Sequence, residues 1–268
     1  MGFLYPEKPL REFLSDYFSV AILGHQISAL VVRVMLLLPS IWVMRKFNFM
    51  KFSGLKPWSN PQNAHATVIP LTIILLGAFI NWANYLEVSL GLVFIFLLKT
   101  MSVGFYEEFI FRGVAFPMLI SAFKKNKRTI LISAVLSSLI FGLVHYINLI
   151  GDPDNFAGIT NQVFFATAIG VFFCGIMVRT ESIVVPVVLH TLVNFGFGSA
   201  ELIEVAEETA KVSEDTGINW SSVILTSIFF TFIFLSGVYM ILKADRESIL
   251  QKLEPNVLSN TNRRNSMS

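Results

Sequence analysis

Charge is scarce in this chain. Only 14% of its 268 residues are Asp, Glu, Lys or Arg, against roughly a quarter in ordinary soluble domains. A water-soluble fold needs a polar surface that so few charges cannot supply. Cysteine is nearly absent as well. The single Cys174 excludes an intrachain disulfide and any four-cysteine metal site, and its place in an apolar run reads as a small buried hydrophobe. Strong net charge is also lacking: a balance of +2 is too mild to call for a nucleic-acid partner. The chain shows no internal repeat and no stretch with the composition of a soluble domain. Its first residues, Met1 to Phe18, mix Pro, Glu, Lys and Arg and lack the layout of a cleavable signal peptide.

What the chain has in abundance is hydrocarbon. Hydrophobic residues make up 54% of it, Phe alone contributes 26 residues, and the mean hydropathy is +0.66. The lipid bilayer is the solvent that suits this composition. A spanning helix needs about 20 mostly apolar residues, and seven stretches qualify: Ser19–Met44, His65–Tyr85, Val88–Ser121, Thr129–Asn148, Gln162–Val178, Ser182–Ala200 and Ile218–Leu242. The third is too long for one straight span, so it is expected to tilt steeply, to break near Lys99 to Gly104, or to form two elements. The expected fold is therefore all-α, a polytopic transmembrane bundle of about seven to eight helices over residues 19–243. A polar segment (1–18) precedes it and a polar, irregular tail (244–268) follows.

Loop charges suggest how the bundle sits. Arg45, Lys46, Lys51 and Lys56 follow the first span, and Lys124, Lys125, Lys127 and Arg128 follow the third. Short loops rich in Lys and Arg stay cytoplasmic, so both fit one side if the N-terminus lies outside and the C-terminus inside a cell membrane. Acidic residues gather in the other connections, at Asp152 and Asp154 and from Glu201 to Asp215.

Ionisable side chains inside the apolar spans cost roughly 2.5–3.5 kcal/mol each on insertion scales, so each calls for a partner or a task. Arg33, with His25 nearby in the first span, reads as a residue that pairs with a neighbouring helix or snorkels. The third span is richer. It runs Gly104-Phe-Tyr-Glu-Glu-Phe-Ile-Phe-Arg-Gly113. Adjacent residues diverge by about 100° on a helix, so Glu107 and Glu108 point to different places. Glu108 and Arg112 stand four apart and can pair on one face. That leaves Glu107 as a candidate general base for a water molecule. The fourth span carries Phe141-x-x-x-His145 and the sixth His190-x-x-x-Asn194. His190 and Asn194 share a face, where an imidazole and an amide can bind a metal or donate hydrogen bonds to a developing oxyanion. At 1.5 Å per helical residue, Glu107 and His145 both lie about 25 Å from the basic loop at 124–128, and His190 lies about 16 Å from Arg179. The three levels agree well enough for the helices to bring them together inside the bilayer, nearer the non-cytoplasmic face.

Taken together, Glu107-Glu108-x-x-x-Arg112, Phe141-x-x-x-His145 and His190-x-x-x-Asn194 resemble the signature of the CPBP family, the CAAX proteases and bacteriocin-processing enzymes also called the Abi family. The resemblance covers a core at about 88–200. It implies an intramembrane endopeptidase in which Glu107 activates water with help from His145. His190 and Asn194 would then stabilise the tetrahedral oxyanion, while Glu108 and Arg112 support the site. It also implies a bacterial membrane protein acting on secreted or membrane-anchored peptides, in bacteriocin processing, self-immunity or surface-protein regulation. Its partners would be the bilayer and a peptide substrate. Glu107, His145 and His190 could form a three-ligand zinc site, although the compact His-Glu-x-x-His arrangement is missing. A metal-free glutamate mechanism uses the same residues, and the cofactor stays open on the sequence. Two other readings stand beside the peptidase. One is a non-catalytic membrane scaffold or regulator that keeps the fold. The other is a proton-coupled transporter using Glu107, His145 and His190 as a relay, for which the repeated halves common in transporters are missing.

Overall fold

The computed structural model describes residues 21–56, 61–199 and 220–254, and every regular element among them is helical. With no water in the hydrocarbon layer, backbone N–H and C=O groups must satisfy each other within a segment, which the helix does. Each of the seven expected segments has a helical counterpart. The first is α1 (Ala21–Lys46), followed by the short α2 (Phe49–Ser53). A 3₁₀ turn (Pro61–Thr67) leads into α3 (Val68–Ile80), and α4 (Trp82–Leu86) follows. Next come α5 (Leu90–Glu108), a π-helical segment (Phe109–Ala115) and α6 (Phe116–Ala122). Beyond them lie α7 (Thr129–Val144) with a 3₁₀ extension (His145–Ile150), α8 (Phe156–Thr180), α9 (Val184–Phe197) and α10 (Trp220–Leu242). Among the described residues, four helical runs are long and apolar enough to cross a membrane: Leu90–Ala122, Thr129–Ile150, Phe156–Thr180 and Val223–Leu242. His65–Ile80 and Val184–Phe197 are shorter apolar helices.

The long third span does not break near Lys99 to Gly104. It continues as α-helix through both Glu107 and Glu108, then widens into the π segment that carries Arg112. Helices accommodate one residue too many in this way, often beside functional sites. The polar tail also departs from expectation. After Asp245 it forms α11 (Arg246–Leu253), where the Asp245 carboxylate caps the Glu247 and Ser248 amides and Ile249 is buried. Capping offsets the orphan amides of the first turn. Asp245→Ala is expected to weaken this helix by about 0.5–2 kcal/mol, seen as faster amide exchange over residues 246–253. The acidic stretch from Glu201 to Asp215, the segment 1–18 and the tail beyond 254 lie outside the described residues.

Helix α8 is the axis of the bundle. Its turns from Ala168 to Val178 are buried throughout, against α7 on one side and α10 on the other. Lipid tails are as apolar as leucine, so close van der Waals packing rather than hydrophobicity drives such contacts, and small residues permit it. At Gly237 an added Cβ would stand 2.6 Å from the Phe172 backbone, which is why α10 can lie directly on α8. Many outer side chains, among them Leu75, Phe79, Leu90 and Leu225, are large, apolar and exposed, as a lipid-facing surface requires.

Basic segments collect at one end. Arg246 donates to the Lys124 carbonyl, Ser182 donates to the Lys56 carbonyl, and Lys252 pairs with Glu181 at 2.7 Å. The two basic loops and α11 therefore share an end of the bundle, as the positive-inside reading requires of one membrane side.

Candidate active site

Four helices build the site, and the third supplies most of its charge. Arg33 of α1, 2% exposed, donates to Ser102 Oγ at 3.3 Å and lies 6.0 Å from the Tyr106 ring. This is the neighbouring-helix pairing expected for it, and it ties α1 to α5. On the opposite side, α5 meets α9 at Gly104, where an added Cβ would fall 2.9 Å from the Val187 carbonyl and close to Thr191. That approach brings His190 against the two glutamates. Gly104→Val is expected to force α9 outward and cost about 1–3 kcal/mol. Thermal unfolding in detergent would read it as a lowered midpoint.

Glu107 and Glu108 are both buried, at 2% and 0% exposure. They diverge as the helical geometry demands, yet one imidazole serves both. His190 Nδ1 lies 2.7 Å from Glu108 Oε1, and His190 Nε2 lies 3.5 Å from Glu107 Oε2. A carboxylate oxygen can only accept, so Nδ1 carries a proton toward Glu108. Glu108 Oε1 also stands 3.1 Å from Arg112 Nη1, the pairing expected from their spacing. The Arg112 guanidinium, 1% exposed, packs over the Phe141 ring at 4.7 Å and the Phe173 ring at 5.7 Å. Such faces attract a desolvated cation.

Glu107 receives a further hydrogen bond, from the Tyr106 hydroxyl to Oε1 at 3.0 Å. Sequence reasoning missed this tyrosine. A neighbouring residue on a helix ordinarily points elsewhere, and only the bend of the long phenol toward Glu107 brings the two groups together. His145 ends α7, where the 3₁₀ extension begins, and its Nδ1 lies 2.9 Å from the Phe141 carbonyl. The carbonyl accepts, so the proton sits on Nδ1 and the lone pair on Nε2. Asn194 stands one turn after His190 on α9.

Glu107, His145, His190 and Asn194 all line one cavity of about 490 Å³. The helices that carry them converge on this cavity. Phe96, Phe165 and Phe197 give the cavity an apolar wall. Lys99 lines it too, although in the sequence that residue marks only a place where the helix could break. Among the described residues, no three His, Cys, Asp or Glu side chains are grouped to hold a metal ion. His190 instead spends both ring nitrogens on carboxylates.

No curated protein and no solved structure matches the chain. A family model does, over the stretch that holds every residue of this arrangement. Residues 89–196 of this multi-pass helical membrane protein match the model of the type II CAAX prenyl endopeptidase Rce1-like family, a likeness in keeping with the CPBP resemblance of its motifs.

Proposed function

We propose that this protein hydrolyses a peptide bond of a membrane-associated or secreted peptide, with Glu107 as the general base. The observation that supports it most is the opening of Glu107, His145, His190 and Asn194 onto one buried cavity. A water molecule held between a Glu107 oxygen and the His145 imidazole would lose its proton to Glu107. The hydroxide oxygen would bond to the carbonyl carbon, and the oxyanion so formed would accept from the Asn194 amide and from a proton on His190 Nε2. Glu107 would then pass its proton to the departing amine as the C–N bond breaks.

Glu108 and Arg112 act through His190 in this scheme. Glu108 holds Nδ1 protonated and fixes the ring, so that Nε2 faces the cavity and Glu107. Arg112 pairs with Glu108 and holds it in place in a dry setting. The cavity volume suits a short extended segment of peptide rather than a folded domain.

Hydrolysis of a fluorogenic membrane-anchored peptide by the full chain in proteoliposomes tests the proposal, with Glu107→Gln as the variant. Turnover at the parent rate in that variant overturns it. Tyr106→Phe supplies a finer check. It removes one hydrogen bond to the Glu107 carboxylate, worth about 1.5–3 kcal/mol when the acceptor is charged, so kcat is expected to fall about tenfold or more with KM unchanged.

A further inference from the structure

A second cavity, of about 620 Å³, shares no residue with the site around Glu107. It is a groove between the 3₁₀ turn that precedes α3, the end of α8 and the outer face of α10. Two cations mark one end of it: Arg179 in the last turn of α8 and Lys243 just past the end of α10. From there Tyr239, Leu235 and Phe232 follow along one face of α10, each more than half exposed. At 1.5 Å per residue, the wall from Lys243 to Phe232 extends about 16 Å along the helix axis. That is half of a hydrocarbon layer roughly 30 Å thick, the depth of one leaflet. Arg179 donates from Nη1 to the Lys243 carbonyl at 2.9 Å and from Nη2 to Asn63 Oδ1, and Lys243 Nζ lies 5.9 Å from the Tyr239 ring. These partners are neutral, so they fix two positive charges at the head of the groove without cancelling them. The guanidinium and the ammonium each keep further N–H donors. Carboxylates close by in the chain are engaged elsewhere: Glu181 pairs with Lys252 at 2.7 Å, and Asp245 caps α11. The charged end also lies on the side that gathers the basic loops, since Arg246 donates to the Lys124 carbonyl.

We propose that this groove holds an anionic phospholipid, with its phosphate at Arg179 and Lys243 and an acyl chain along Tyr239, Leu235 and Phe232. Basic pockets between spanning helices suit acidic headgroups, and each cation near the membrane surface adds to the attraction. A free phosphate would use the cations and leave the apolar wall unused. A neutral lipid would use the wall and leave the cations unmatched. An anionic phospholipid uses both, and its chain spans the depth that the wall provides. Bound there, it ties the turn before α3 to α8 and α10. Hydrolysis at Glu107 plays no part in this binding.

The full chain in a neutral detergent, titrated with phosphatidylglycerol or with phosphatidylcholine of the same acyl chains, tests it. Native mass spectrometry reads the lipid retained, and thermal unfolding reads the stabilisation that a ligand of the folded state confers. Phosphatidylglycerol is expected to bind about tenfold or more tightly than phosphatidylcholine and to raise the unfolding midpoint. Lys243 is exposed, so its substitution should leave the lipid-free midpoint unchanged. Lys243→Gln should cut the preference about fivefold, Lys243→Glu should abolish it, and Arg179→Lys should keep it. Lys125→Gln, at an exposed cation of another loop, should leave the preference as it is. Ser236 lines the groove, so Ser236→Trp should fill it and lower retention about tenfold while both cations stay in place. Equal binding of the two lipids by the parent overturns the proposal. So does an equal loss in Lys125→Gln and Lys243→Gln, which marks a diffuse basic surface, or full retention in Ser236→Trp, which places the chain elsewhere. Glycerophosphoglycerol, the same headgroup without chains, should leave the midpoint unmoved at matched concentration. A rise equal to that of the intact lipid assigns the cations to free phosphate and overturns the lipid.

Discussion

Glu107→Gln is expected to lower peptide hydrolysis by about 10²–10⁴-fold, the range a positioned general base contributes. The substitution keeps the shape of the side chain and removes only its capacity to take a proton. Its structural cost should be small. Tyr106 can still donate to the amide oxygen of the new residue, and the buried cation Arg112 pairs with Glu108, not with Glu107. Loss of turnover with an unchanged unfolding midpoint would therefore locate the chemistry at this carboxylate. The comparison must be made at equal insertion, by the amount of protein recovered in the proteoliposomes. Asn194→Ala, at the other side of the cavity, should lower kcat through loss of an oxyanion donor, an effect of about 10²–10³-fold where such donors have been removed.

Glu108→Ala is expected to act on the fold first. Breaking a buried ion pair by removing one partner costs about 3–5 kcal/mol, because the other charge stays buried and uncompensated. Here two groups lose their partner at once: Arg112 loses its ion pair, Nη1 to Oε1 at 3.1 Å, and His190 Nδ1 loses its acceptor at 2.7 Å. Neither can reach water, with Arg112 at 1% and His190 at 6% exposure. Thermal unfolding in detergent should show a large fall in midpoint. Removing both charges, as Glu108→Met with Arg112→Met, should cost less than removing Glu108 alone, since no orphan cation remains. A single Ala variant as stable as the parent would show that this triad does not hold the bundle together. Activity of the double variant is expected to stay low even where stability returns, because His190 has lost the carboxylate that orients it.

Both expectations separate what each of two adjacent glutamates does, and the sequence went some way toward this. Their adjacency on a helix sends them in different directions, and the spacing of Glu108 and Arg112 by four places them on one face. Those are local consequences of helical geometry. The bridging role of His190 is of another kind. It depends on α9 approaching α5 at Gly104, a contact between residues far apart in the chain. On sequence, His190 pairs with Asn194 alone, because those two share a helix face. Tyr106 was missed because its partner is its own neighbour. Lys99 was missed because on the sequence it marks only a place where the long span could break, until a cavity is seen beside it.

The sequence by itself determined the solvent and the helices. Scarce charge and long apolar runs leave no alternative to a bilayer, and a bilayer permits few backbones besides the helix. It also determined the depth of Glu107, His145 and His190, because helical rise is fixed. Tertiary structure decided the rest. The π segment after Glu108, the use of both His190 nitrogens on carboxylates and the cavity that admits Lys99 all follow from which helix faces meet. Faces in lipid meet by close packing at small residues such as Gly104 and Gly237 rather than by hydropathy, and hydropathy is nearly uniform along these spans. The polar residues in apolar helices were visible at once; which of them touch was set by where the glycines let the helices close.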